Sequence, residues 1–556
     1  MGRIRFQVVI ALVAILGLAL VLGYVAFRMN RVTVPEPGGV YVEGLAGTPQ
    51  TINPLLAQAN PVDQDLAALI YSGLTKVDEQ GRVQPDLATR WDISAGGTIY
   101  TFYLREDVTW HDGAPFTADD VVFTIGLMQN QGFQGAADLA DLWRTVAVEA
   151  LDDYMVRFTL REPYAPFLEY TTIGLLPAHV LRAVDPALLA ESDFNGSPIG
   201  TGPFCVQDIN VQRVTLVPYA AYYGPVPYLQ QLEFRFYPDT PSVFEARKRG
   251  EIQGISRVLP EYLDEVRQDS DLTLYNGPLA GYNLVILNLD RPMFQGAEVR
   301  RAMMYALDRQ ALIDSALDGQ GRIIHSPILP NSWAYDPNVF KYTYDPAKAR
   351  SILDEAGWYD QNGDGIREQG SYRLEFALVT NDDDPVRKAL VEGICTQLRQ
   401  VGIQANPTFV SWDVLVSEQL RLRRFDAVLI GWQNLAADPD PYPYWHSSQA
   451  TEEGFNFAGY ISEDSDRVLE AARLTTDEAE RAALYAEFQA YFAEDVPSLL
   501  LYQPIYSYAV DSNIQGVQIG VIGEAADRFR NIADWYTSTQ RMLYTEAREK
   551  GLIDGR

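Results

Sequence analysis

The sequence predicts an α/β protein of two lobes behind an N-terminal membrane anchor, and three observations carry that prediction. The first is residues 281–309. Residues 282–289 are rich in β-formers, with Leu284, Ile286 and Asn288 on one face and Asn283, Val285 and Leu287 on the other. Apolar side chains on both faces describe a strand in the middle of an open α/β sheet. A short turn leads into Val299, Met303, Ala306, Ile313 and Leu317 at helical spacing, which Gly319 and Gly321 stop. The second observation is a change of pattern there: strands and helices alternate regularly after this stretch, but are mixed before it. Residues 281–309 are therefore read as the crossing between lobes. The third is an uncharged apolar run at residues 8–27, preceded by Arg3 and Arg5.

That run is long enough to span a bilayer core of ~30 Å as a helix. It exceeds the core of a cleavable signal, roughly 7–15 residues, and no small-residue cleavage site ends it, so an uncleaved anchor is expected over a cleaved leader. Arg3 and Arg5 place the stub 1–7 inside and the remainder outside. Residues 28–39, with Pro35, Pro37, Gly38 and Gly39, read as a tether.

The 556 residues suit two or three domains, and the formal net charge of −30 excludes nucleic acid as a partner without a basic patch, which is not seen. Cys205 and Cys395 make no disulfide framework and read as free, buried thiols. The four histidines, His111, His179, His325 and His446, show no metal-protease spacing, and no Gly-x-Ser-x-Gly or paired Cys-x-x-Cys is present. An enzyme is not expected.

Taken in order, residues 40–43 form a short strand, residues 47–56 a loop with turn chemistry at both ends, and residues 63–71 a helix. Residues 71–75 (Tyr-Ser-Gly-Leu-Thr) lead to residues 83–91 (Val-Gln-Pro-Asp-Leu-Ala-Thr-Arg-Trp). Residues 98–104 alternate as a strand, His111-Asp112-Gly113 is a turn, and Thr117 caps a helix containing Asp119, Asp120 and Val121. Gly200-Thr-Gly-Pro-Phe204 follows much later. In this order, these segments resemble the peptide/nickel class (family 5) of extracytoplasmic solute-binding proteins of ABC transporters, which includes dipeptide- and oligopeptide-binding proteins. The resemblance covers nearly all of the chain after the tether.

Beyond the crossing, Asp345-Pro346 and Asp384-Pro385 each begin a helix, which Gly357 and Gly402 end. Strands at residues 374–380, 403–410 and 425–432 complete a doubly wound pattern. Between them, Asp360, Asn362, Asp364, Ile366 and Glu368 hold the spacing of half a calcium loop, but Ser371 stands where its closing glutamate belongs. Two readings stay open: a tight Asx/Gly turn, or a structural calcium clip remote from the ligand. Residues 431–446 follow the last strand and are expected to overhang the cleft, because ligands of open α/β sheets bind beyond the carboxyl ends of strands.

The resemblance implies a type II periplasmic-binding-protein-like fold in its large form. Residues 40–70, 198–280 and 505–540 make the first lobe, 71–197 an inserted subdomain, 281–504 the second lobe and 541–556 a charged tail. It also implies ligand contacts from Thr51, Asn53, Tyr282, Asn283, Trp432, Asn434, Asp438 and Trp445. Peptide-binding relatives carry an amine-pairing aspartate three residues after the tryptophan. Here that position is Leu435, with Asp438 and Asp440 as nearby substitutes. The function implied is capture of peptides by hinge closure and delivery to an ABC permease, by an expected monomer. Oligosaccharides or another uncharged solute are the alternative that Leu435 leaves open. A solute sensor or peptide chaperone on the same fold is a third.

Overall fold

The computed structural model describes residues 12–18, 31–436 and 438–553. The expected membrane span lies mostly outside them. Residues 12–18 are helical and expose Leu12, Val13, Ile15, Leu16 and Leu18. Among the described residues, no helix is long and apolar enough to cross a membrane.

One sheet runs through both lobes, and a single strand joins its halves. In the first lobe, Gly254–Ile255, Val40–Ala46, Gln231–Tyr237, Arg213–Pro218 and Phe204–Ile209 lie side by side, the first three parallel. In the second lobe the order is Gln404–Val410, Glu375–Asn381, Ala427–Trp432 and Tyr282–Leu287. The Ser498–Asp511 strand pairs with Tyr282–Leu287 through its first residues and with Leu272–Pro278 and Gly254–Ile255 through its last.

The second lobe is thus not purely doubly wound. Its first three strands are parallel, but Tyr282–Leu287 runs antiparallel to both neighbours. Burial on two faces gives one sequence pattern for either direction, so the direction was not readable. Every residue of Tyr282–Leu287 is buried. Val285 and Leu287 enter one core with Met303, Leu312 and Ile394, while Leu284 and Ile286 enter another with Phe488 and Trp445.

The inserted subdomain carries an antiparallel sheet, Ala88–Ile93, Ile99–Leu104, Met155–Thr159 and Ala147–Asp152, covered by the Ala118–Gln129 helix. Thr117 and Asp120 close that helix as a capping box. Its core is continuous with that of the first lobe, from Phe158 and Trp110 through Leu66 to Tyr41 and Trp535. The Gly-Thr-Gly segment has a steric reason. A Cβ on Gly200 would lie 1.9 Å from the Ile70 carbonyl oxygen, and one on Gly202 2.6 Å from that of Leu69. His111 fixes the same segment, its Nε2 3.0 Å from the Gly202 carbonyl, in a structural role.

The expected tether is not free of regular structure. Arg31–Glu36, inside the expected tether, forms a strand antiparallel to Ser538–Leu543. Val34 is buried against Met542 and Ala547, the latter on the Tyr544–Glu549 helix. The alternation of Val32, Thr33 and Val34 outweighs the prolines and glycines that follow.

A buried ion cluster locks the first lobe. Arg528, fully buried, contacts Glu43 at 2.6 Å and Asp65 at 2.6 Å, and the Tyr41 and Tyr508 hydroxyls each reach the other Glu43 oxygen at 2.7 Å. The central strand, the helix Pro61–Ile70, the shared strand and the C-terminal return meet there.

Candidate ligand-binding cleft

The chain crosses between lobes twice, at residues 278–282 and 502–506, and these segments are tied together. The Gln503 side chain donates to the Leu279 carbonyl at 2.8 Å and to Asn331 at 2.9 Å. Beside them lies a cleft of about 950 Å³ with walls from the first lobe, the inserted subdomain and the second lobe. Tyr71, Tyr164, Tyr170, Tyr222, Trp333 and Tyr444 give it an aromatic lining, with Ile173, Leu329 and Leu435 between them. Aromatic rings offer large apolar contact with a polar tip, suited to ligands that alternate polar backbone with varied side chains.

Of the residues anticipated from the sequence, Tyr282, Asn434 and Trp445 line this space. Tyr282 and Trp445 are almost wholly buried, and Trp445 packs edge-on to Phe492 at 4.7 Å. Asn434 is exposed and has a left-handed backbone, φ 53°. The other five are placed elsewhere. Asn53 is buried, bonded to Asn195 and to the Leu55 amide. The Thr51 amide donates to Asp63, and the neighbouring Pro54 and Ala57 reach the cleft instead. Asn283 covers Gly431, where a Cβ would meet its Oδ1 at 2.7 Å. Trp432 stacks on Phe457 with ring centres 5.7 Å apart and packs on Tyr444 at 4.5 Å, behind the wall.

Asp438 is not a free amine acceptor. Arg481 holds both its oxygens at 2.7 and 2.5 Å, and its amide donates to Glu169 at 3.1 Å, bridging the second lobe to the inserted subdomain. Asp440 is gripped in the same way by Arg473 at 2.5–3.1 Å. Sequence reading missed both arginines, because each sits on a helix distant in sequence from the aspartate it holds.

The 360–368 loop closes on itself. Asp360 accepts from the Gly363 and Gly365 amides, Asp364 from the Ile366 amide, and Glu368 from Asn362. The Arg373 guanidinium stands 2.7 Å from Asp364, where a cation would have to compete with it. Among the described residues, no group of three or more histidine, cysteine or acidic side chains is placed to hold a metal ion. The loop's carboxylates are thus engaged in a self-bonded turn.

The family of bacterial extracellular solute-binding proteins, family 5 (middle), matches residues 82–454. The chain belongs to this family. Among family 5 relatives, the oligopeptide-binding protein AppA of Bacillus subtilis is 31% identical over 490 residues, 87% of this chain and 89% of its own length. The dipeptide-binding protein of Escherichia coli is 27% identical over 93% of this chain and 97% of its own. The solved structure of Bacillus subtilis AppA with a nonapeptide superposes with a TM-score of 0.67 at 30% identity, covering 91% of this chain and all of that one (100%). NikZ of Campylobacter jejuni, solved with Ni(L-His), gives 0.69 at 28% identity, covering 89% and 99%. The resemblance read from the sequence motifs is thereby borne out, and so is the two-lobed fold.

Proposed function

We propose that this family 5 protein is the substrate-capturing component of an ABC importer, and that its substrates are oligopeptides. The observation that carries the reading is the cleft itself. It has three walls on two lobes, joined by two crossing segments and bridged on one side by the Asp438–Glu169 contact. A ligand that touches both lobes stabilises the closed state by its differential contacts, and a permease then distinguishes closed from open. At about 950 Å³ the cleft lies at the upper end of small-ligand sites, enough for a peptide rather than a single amino acid. The nonapeptide in the AppA structure supports the same class. Residues 8–27 would hold the protein at the outer face of the membrane, with residue 31 onward folded outside it.

The test is native mass spectrometry of the full chain, purified in mild detergent without denaturation. A set of co-purifying masses that fragment as peptides is expected. Hexose-spaced masses, or an empty protein that takes sugars and refuses peptides, would replace this reading with an oligosaccharide importer.

A further inference from the structure

The ribbon formed by Arg31–Glu36 and Ser538–Leu543 has one face covered and one open. Val32 pairs with Met542 and Val34 with Gln540, on the face toward the Tyr544–Glu549 helix, where Val34 and Met542 are buried with Ala547. Alternation sends the other pairs, Arg31 with Leu543, Thr33 with Arg541 and Pro35 with Thr539, to the opposite face. Arg31, Thr33, Thr539 and Arg541 are exposed there. Two guanidiniums and two hydroxyls thus share a face without a carboxylate, in a chain whose formal net charge is −30.

At one end the ribbon is fastened to the first lobe. The Thr537 hydroxyl donates to the Gly38 carbonyl at 3.5 Å, the Gly38 amide to the Tyr228 carbonyl at 2.8 Å and the Gln230 amide to the Gly39 carbonyl at 3.0 Å. At the other end it begins at Arg31, close behind the apolar run 8–27. The backbone steps from Phe27 to Arg31 reach at most about 14 Å. The headgroup layer on one side of a bilayer is itself about 5–8 Å deep. Tyr544 follows Leu543, the partner of Arg31, and is exposed at this same end. A tyrosine ring with its polar tip suits the membrane–water interface.

We propose that the outer face of this ribbon is a membrane-contact surface, which takes the phosphates of anionic lipid headgroups on Arg31 and Arg541 and so lays the ribbon flat on the bilayer. This rests on the reading of residues 8–27 as an anchor. Each guanidinium can pair with a phosphate through charge-assisted hydrogen bonds. The short connection keeps them near the charged surface, whose attraction fades over a Debye length of about 8 Å. The first lobe is then the fixed one, and the second swings during closure.

The experiment uses the full chain in vesicles of phosphatidylethanolamine and phosphatidylglycerol, with a nitroxide quencher on a fraction of the headgroups. A fluorophore is placed on Thr539→Cys or on Val211→Cys, each combined with Cys205→Ser and Cys395→Ser. Thr539 lies about 13 Å along the ribbon from its anchor end, so only a ribbon lying flat brings it to the headgroups. Val211, 89% exposed, sits beside Gln212, whose carbonyl accepts the Phe236 amide, far from the end where Gln231 pairs with Val40. Quenching at Thr539→Cys is expected to exceed that at Val211→Cys by at least about threefold, and to fall by about half or more once Arg31→Gln and Arg541→Gln are added. Equal quenching at the two positions overturns the proposal, and so does a folded double-glutamine variant that keeps its quenching. In both cases a protein that still floats with the vesicles after an alkaline wash leaves the anchor reading standing. A protein that the wash strips off removes the anchor reading, and this inference with it. If the double-glutamine variant melts early, vesicles of phosphatidylcholine alone decide: unchanged quenching at Thr539→Cys overturns the proposal, and a fall by about half supports it.

Discussion

Arg481 grips Asp438 with both terminal nitrogens, Nη1 to Oδ2 at 2.7 Å and Nη2 to Oδ1 at 2.5 Å. The guanidinium also lies 5.1 Å over the Trp333 ring on the cleft wall. Removing the carboxylate leaves a buried arginine without its counterion, which costs about 3 kcal/mol or more. Asp438→Ala should therefore lower the melting temperature by several degrees while peptide affinity in the folded fraction persists. A variant with normal thermal stability and a selective loss of amine ligands would contradict this placement.

The Glu43 cluster holds two carboxylates against one guanidinium. Desolvation raises the Glu43 carboxyl most, while Arg528 opposes it. A carboxyl raised in the folded state contributes stability that is full below its unfolded value and is lost as pH rises through the folded one. Glu43→Gln keeps the shape and removes the excess charge. Its melting temperature relative to wild type should climb between pH 5 and pH 8; a difference that shrinks over that range would show that Glu43 is not the strained group.

Gly281 marks the first crossing between lobes. A Cβ there would lie 2.4 Å from the Trp432 carbonyl oxygen and 3.1 Å from the Gln433 Cα, both backbone atoms that have little room to retreat. Gly281→Ala should displace the crossing segment and weaken ligand affinity by about tenfold, with a stability loss of about 1–3 kcal/mol. Titration calorimetry beside a melting curve checks this, and unchanged affinity would mean that the segment gives way freely.

For the 360–368 loop, millimolar calcium or EDTA should leave the melting temperature unmoved. Asp364→Ala, which removes the Arg373 pair and one turn bond, should lower the melting temperature only slightly. A clear calcium-dependent rise would restore the clip.

Much of the fold was legible because periodicity reports burial. The 282–287 strand displayed its two faces in the sequence, and those faces do enter two different cores. Local chemistry was legible too, as in the Thr117–Asp120 capping box. Strand direction was not, since a doubly buried strand looks alike either way round. Tyr282 and Trp445 do lie on the cleft lining, but the engagement of Asp438, whose partner is 43 residues away, was not legible. Pairings between distant segments leave no trace in spacing. Asn53 shows the opposite failure: a polar residue in a loop suggested a ligand contact, yet its hydrogen bonds are spent on Asn195 and its own turn.

The shared strand also sets an order of assembly. The second lobe can bring its first strands together while the chain is still being made, but the first lobe cannot finish. Glu43 waits for Arg528, 485 residues later, and Val34 waits for Met542 on the closing strand. A chain emerging amino end first must hold Val40–Ala46 and the Pro61–Ile70 helix without their buried counterion until nearly all of it has appeared. Closing so long a loop is slow, and the exposed edge invites mispairing meanwhile. Loss of the Ser538–Leu543 strand, which lies outside the cleft lining, should therefore destabilise the first lobe, because that late segment acts as its latch.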